Sequence, residues 1–278
     1  MTEITAHHGL FKDTNLHVDD TGGPGRPVVL IHGWPLSGES WSEQVPALSE
    51  AGYRVVTYDR RGFGRSDKPK TGYTYDTLAE DLHALVLALD LTDATLVGFS
   101  MGGGEVARYL ANYGPERVHS VVFAAAVTPY LEQTSDNPEG PLDKKTAATF
   151  AAELTADQEK FYDQFTTQFF SVDGVLKVTE AQRQEALALA LQADKNAALQ
   201  CMTAWGTTDF RDDLAKVSVP TLVLHGNGDA TVPFEGSGAR THAAVAGSEL
   251  VVLDGAPHGC NVSHAGEFNQ ALLAFLAR

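Results

Sequence analysis

The sequence predicts an α/β protein, with a mostly parallel sheet flanked by helices and a helical cap inserted into it. Three observations predict this. Short apolar runs rich in β-branched residues alternate with helically periodic stretches up to residue 128. Across residues 129–213 only helical periodicity is visible. The alternation then resumes from residue 214 to the end. Alternating strands and helices imply right-handed crossovers and a parallel sheet covered on both faces. The predicted division is a core of residues 1–128 and 214–278, with a cap of 129–213.

"VVLIH" (28–32), "YRVVTY" (53–58), "ATLVGF" (94–99) and "VHSVVFAAA" (118–126) read as strands. Their near-continuous apolar character suits strands buried on both faces. Between them, Leu78, Leu82, Leu85, Val86 and Leu89 fall at helical spacing over Thr77–Asp90, with Thr77 and Glu80 as an expected capping box. A helix over Gly102–Tyr113 stops at Gly114-Pro115. The cap shows helices from Thr155 to Phe170 and from Thr179 to about Trp205, each opening T-x-x-Q, and no convincing strand. "VPTLVLHG" (219–226) and "SELVVLDG" (248–255) are further strands, separated by a helix over Glu235–Val245. A last helix covers Ser263–Arg278, with Phe268, Leu272, Phe275 and Leu276 on one face. A cap leaving the C-terminal side of the sheet would cover the edge where open α/β sheets bind ligands.

Composition excludes several classes of function. The chain has 278 residues, 43% apolar, enough for one large domain with a sizeable core. A formal charge of −16 repels phosphate backbones and anionic lipid, so neither nucleic acid nor a membrane surface is an expected partner. "MTEITAHHGL" is too polar for a secretory signal, and no apolar run is long enough to span a bilayer. Cys201 and Cys260 form no CxxC pair and read as small buried side chains of a cytoplasmic protein.

The chemistry centres on "GFSMGGGE", where Ser100 lies between Gly98 and Gly102, after a strand and before a helix. A nucleophile elbow needs this arrangement: a strained turn lifts the hydroxyl above the sheet, and small neighbours avoid collisions. The G-x-S-x-G spacing alone arises by chance in about one chain in ten, so the flanking strand and helix carry the reading. A serine nucleophile needs a base, and the base an orienting acid, in the chain order Ser, Asp or Glu, His. Asp229 in "HGNGDATVP" and His258 in "DGAPHGC" each follow a strand parallel to that of Ser100, so all three emerge at one sheet edge. Asp209, Asp212 and Asp213 precede their strand, His264 starts a helix and His225 ends a strand, which removes them as rivals.

The apolar run 28–32 leads into "HGWPLSG". An oxyanion hole needs two backbone donors. The expected pair is the N–H of Met101, directly after the nucleophile, and that of Trp34, in the loop turned by Gly33. Proline fixes its own φ and pushes the residue before it toward extended backbone. Pro35 is therefore expected to orient the Trp34 peptide, with its carbonyl towards an acyl-enzyme, where it can hold hydrogen peroxide. His32 reads as a structural residue bonding within the loop, and Asp59 and Arg61 as braces of theirs. The expected substrate lining is Trp34, Pro35, Val127, Phe165, Phe169 and Val232, with Phe161 packed on the core.

"HGWPLSG", "YDRRGFGRSD", "VGFSMGGGEVARY", "GNGDATVPF" and "GAPHGCNVSHA" together resemble the α/β-hydrolase superfamily, and within it the bacterial cofactor-free haloperoxidases and aryl esterases. The resemblance covers most of the chain and is weakest in the cap. It implies an eight-stranded sheet, hydrolysis of small esters, and perhydrolysis of carboxylic acids by hydrogen peroxide to peracids that oxidise halide. Proline at position 35 accompanies perhydrolysis in that family. The resemblance also implies no metal, haem or flavin, and assembly into trimers or hexamers. Lactam cleavage, a triad-dependent lyase or carbon–carbon hydrolase, and a slow-turnover ligand sensor remain open on the same fold.

Overall fold

In the computed structural model, residues 2–6 and 13–278 are described; Met1 and residues 7–12, part of the polar N-terminal stretch, lie outside the described residues. The core opens with β1 (Thr2–Ala6), β2 (Thr14–Asp20), β3 (Pro27–Ile31), α1 (Gln44–Glu50), β4 (Arg54–Tyr58) and α2 (Tyr75–Ala88). It continues through β5 (Ala94–Phe99), α3 (Met101–Tyr113) and β6 (Val118–Ala124). Between β6 and the next core strand come α4 (Lys144–Ala156), α5 (Gln158–Phe169), β7 (Ser171–Val172), β8 (Val175–Leu176), α6 (Glu180–Ala190), α7 (Lys195–Thr207) and α8 (Arg211–Leu214). The chain closes with β9 (Thr221–Gly226), α9 (Gly238–Ala244), β10 (Glu249–Leu253), α10 (Cys260–Ser263) and α11 (Ala265–Leu276).

The main sheet has eight strands in the order β1-β2-β4-β3-β5-β6-β9-β10. β1 and β2 run antiparallel at one edge, and β2 meets β4 antiparallel. The pairs from β4 to β10 are parallel. Every residue of β5 and β9 is buried, as strands covered on both faces require. β1 and β2 had no apolar run to announce them. They alternate, burying Ile4, Ala6, Leu16 and Val18 and exposing the residues between, which is the signature of a half-covered antiparallel edge.

Several boundaries differ from the sequence expectation, each for a local reason. α2 begins two residues early because Thr74, not Thr77, is the N-cap; its hydroxyl accepts from the Thr77 N–H. Thr155 lies inside α4, bonding to the Ala151 carbonyl, and α5 starts afresh with Asp157 accepting from the Lys160 N–H. The expected Thr179–Trp205 helix is two helices. Its Thr179–Gln182 capping box is present, but Asp194 caps a new start and accepts from the Ala197 N–H. The segment expected to lack strands holds a small hairpin turned by Asp173 and Gly174, both at positive φ. The peptide bonds before Pro35 and Pro129 are cis.

No described helix is long and apolar enough to cross a membrane. Both cysteines are buried and unpaired with each other.

Candidate active site

Close packing dictates the turn at Ser100. A Cβ on Gly98 would lie 2.5 Å from the Gly102 carbonyl oxygen, and one on Gly102 would lie 2.5 Å from that of Ile31. Only glycines let the start of α3 approach β5 and β3 this closely. Ser100 itself sits at φ 55°, ψ −117°, a strained backbone for a residue with a side chain. The turn points its hydroxyl off the carboxyl end of β5.

The loops after β9 and β10 meet it there. Ser100 Oγ lies 2.9 Å from Nε2 of His258, and His258 Nδ1 lies 2.6 Å from Oδ2 of Asp229. All three side chains are buried. Because Asp229 can only accept at this distance, His258 Nδ1 carries a proton and Nε2 is left to accept from the serine. The other carboxylate oxygen, Oδ1, accepts from the backbone N–H groups of Thr231 and Val232, both at 2.8 Å. Oδ2 also receives Nε2–H of His225 at 3.1 Å. Burial alone would raise the Asp229 carboxyl. The electrostatic interaction with His258 and the hydrogen bonds from His225 and His258 outweigh it and hold the group well below the usual carboxylate range. The rival acids lie elsewhere: Asp209 pairs with Arg211, and Asp213 with Arg108.

On the opposite side of Ser100 runs the loop after β3. A Cβ on Gly33 would lie 2.8 Å from the Phe99 ring and 3.1 Å from Ser100 Cβ, so glycine is needed here for close approach. His32 is fully buried. Its Nε2 accepts from the Arg60 N–H, so Nδ1 donates to the Gly33 carbonyl. Burial, reinforced by the Arg60 guanidinium, pushes its pKa down to about 3 and keeps the ring neutral. It braces the loop rather than serving Ser100. Arg60 is itself buried against Glu105 of α3. Asp59 and Arg61 do not pair with each other: Asp59 holds Arg65 and the Gly38 N–H, and Arg61 holds Asp81. Met101 is the first residue of α3, so its N–H is among those a helix leaves unpaired.

A cavity of about 240 Å³ opens above Ser100 and His258. Trp34, Val127, Phe165 and Val232 line it as expected from sequence. Phe161, assigned by sequence to the core, lines it too. Phe169 and Pro35, also expected in the lining, do not border this cavity. Phe161, Phe165 and Phe169 recur every four residues, and each such step turns about 40° around the helix axis. At the end of α5 the Phe169 ring has rotated down onto His258, edge-on at 5.0 Å, and onto Phe99. Pro35 is buried in the loop, next to Trp34 in the chain. The Trp34 indole is held by cap residues: Nε1 donates to the Ala198 carbonyl, and the Phe165 and Trp205 rings meet it at 5.3 and 5.9 Å. Leu131, Phe150, Met202 and Trp205, not expected from the sequence, also line the cavity. Met202 and Trp205 lie three apart on α7, a visible spacing whose facing direction was not.

A model of the alpha/beta hydrolase fold family matches residues 26–265. The chain belongs to the α/β-hydrolase family. It is 51% identical to a bromoperoxidase from Bacillus anthracis of known crystal structure, with a TM-score of 0.95 and 100% of both chains covered. It is 40% identical to a non-heme chloroperoxidase of Kitasatospora aureofaciens over 91% of this chain and 93% of that one. Over 99% of both chains it is 36% identical to a bifunctional esterase/perhydrolase of Acinetobacter calcoaceticus. Within the family it therefore groups with the non-heme haloperoxidases and esterase/perhydrolases, and it is an enzyme of that type.

Proposed function

We propose that the protein cleaves small, neutral carboxylic esters through an acyl-enzyme on Ser100 and passes the acyl group to water or to hydrogen peroxide. The observation that carries this is the unbroken chain from Ser100 Oγ through His258 to Asp229, at the floor of a largely apolar cavity. His258 Nε2 takes the hydroxyl proton as Oγ attacks the ester carbonyl. The oxyanion is met by the N–H groups of Met101 and Trp34. Collapse expels the alcohol, which receives the proton from His258. Attack by water then releases the acid; attack by hydrogen peroxide releases the peracid, and in both cases Ser100 regains its proton through His258. Asp229 keeps the imidazole in the tautomer that can accept from serine and stabilises the imidazolium that forms.

The lining argues for neutral substrates. Among the described residues that line the cavity none is Lys or Arg, and the charged one is Glu153. A dicarboxylate of the kind taken by carbon–carbon hydrolases would find no cation there. Pro35 acts indirectly: it fixes the course of the loop so that the Trp34 carbonyl can hold peroxide for attack. One hydrogen bond made more strongly in the transition state contributes about 1 kcal/mol, or roughly fivefold in rate.

A panel of p-nitrophenyl acyl esters with and without hydrogen peroxide tests the reading. Acetate and butyrate esters should turn over on the order of once per second or faster, with peracid formed when peroxide is present. A preference for palmitoyl esters, or turnover measured in hours, would overturn it.

A further inference from the structure

We propose that His225 is a positioning residue for the reaction, acting through Asp229; this rests on the reading of Asp229 as the acid. His225 is the next-to-last residue of β9 and is fully buried, with no access to the cavity. Its Nε2 lies 3.1 Å from Asp229 Oδ2 and 2.9 Å from the Val232 carbonyl oxygen. Both partners are acceptors, so Nε2 carries the proton and shares it between them.

Two consequences follow from this placement. First, Asp229 is fully engaged. A carboxylate offers about four acceptor sites. Two backbone N–H groups fill Oδ1, and two imidazoles, His258 and His225, fill Oδ2. The torsion about the carboxyl group is otherwise soft. With His225 donating to one side of Oδ2, the remaining lone pair is aimed at His258. Second, His225 closes a ring. Val232 gives its N–H to Asp229 Oδ1 and its carbonyl to His225. Val232 also lines the cavity, so one imidazole fixes the acid and a wall of the substrate site together.

The surroundings hold the ring in place. Gly238 at the start of α9 packs directly on it; a Cβ there would lie 2.5 Å from Nδ1. The Phe234 ring meets it at 5.7 Å. Nδ1 has no hydrogen-bond partner among the described residues. An imidazole rather than an apolar ring at such a place is accounted for by what Nε2 does.

The test uses the full-length enzyme and p-nitrophenyl acetate, with kcat and KM measured for His225→Phe and His225→Gln, each alone and combined with Asp229→Asn. His225→Phe should lower kcat about five- to tenfold, the worth of one hydrogen bond, with KM nearly unchanged. The glutamine variant, which keeps a donor near the Nε2 position, should recover to within about threefold of wild type. On the Asp229→Asn background, His225→Phe should cost less than about twofold, because its effect runs through the missing carboxylate. If the phenylalanine variant does not fold, His225→Asn, whose amide stops short of Asp229, replaces it. Equal losses in both backgrounds, or no rescue by glutamine, would reduce His225 to a structural residue. A wild-type rate for Asp229→Asn itself would instead remove the acid assignment. Full activity of His225→Phe beside a collapsed Asp229→Asn would overturn the inference alone.

Discussion

The sheet edge and the cap contribute to one cavity by opposite physics. At the sheet edge the contacts are polar, short and buried: Ser100, His258 and Asp229 in sequence, with two backbone donors and His225 behind them. From the cap come apolar rings, Phe150, Phe161, Phe165 and Trp205. A buried hydrogen bond tolerates little displacement, whereas a ring packed by area can be traded for another of similar size. On the proposed reading, the sheet edge carries the chemistry and the cap sets the selectivity. Trp34 joins the two regions, with its peptide in the sheet-edge loop and its indole bonded to α7.

The largest effect should come from the sheet edge. Ser100→Ala should lower kcat about 10⁴-fold or more for every acyl length alike, with the circular dichroism spectrum unchanged. Retention of more than about a tenth of wild-type kcat would dissolve the contrast. Next comes Pro35→Leu. Peracid formation should fall about five- to tenfold while ester hydrolysis holds or rises; if both drop together, Pro35 is a general scaffold residue. A cap change should redistribute activity rather than abolish it. Phe165→Ala should improve hexanoyl over acetyl esters about tenfold or more in relative kcat/KM, since the two differ by four methylenes and even one in an apolar pocket carries about tenfold discrimination. Equal loss on all esters would mean that the cap shapes the chemistry as well.

A smaller effect concerns stability. The Asp229 carboxyl is held below its unfolded value, so its contribution to folding is complete above that value, about pH 4, and is lost as the pH falls further. The wild-type denaturant midpoint should therefore fall more steeply below about pH 4 than that of Asp229→Asn. Parallel curves would show that the carboxylate contributes nothing there. The smallest effect should be that of EDTA, which should leave ester turnover unchanged, because the proposed oxyanion donors are backbone groups.

The same contrast explains what the sequence made legible. Ser100, Asp229 and His258 were readable because each is pinned to the end of an apolar strand, and strand ends are visible as apolar runs halted by glycine or aspartate. The Gly98 and Gly102 spacing marks a place where only hydrogen fits. The cap resisted reading. Two of its helices, α5 and α7, start on single capping aspartates, Asp157 and Asp194, that periodicity does not see. Which way a ring such as Phe169 faces depends on a rotation of about 80° accumulated over two turns. β1 and β2 escaped for another reason, since only alternate residues meet the core.

In the proposed reaction the acyl group passes through Ser100. Rapid mixing with p-nitrophenyl acetate, acid quench, and intact-protein and peptide mass measurement test it most directly, with Ser100→Ala as control. One added acetyl group, located at Ser100, should appear within a turnover and be discharged faster when peroxide is present. Unmodified enzyme during a measured burst of p-nitrophenol, or acetyl carried by the Ser100→Ala variant, would contradict it.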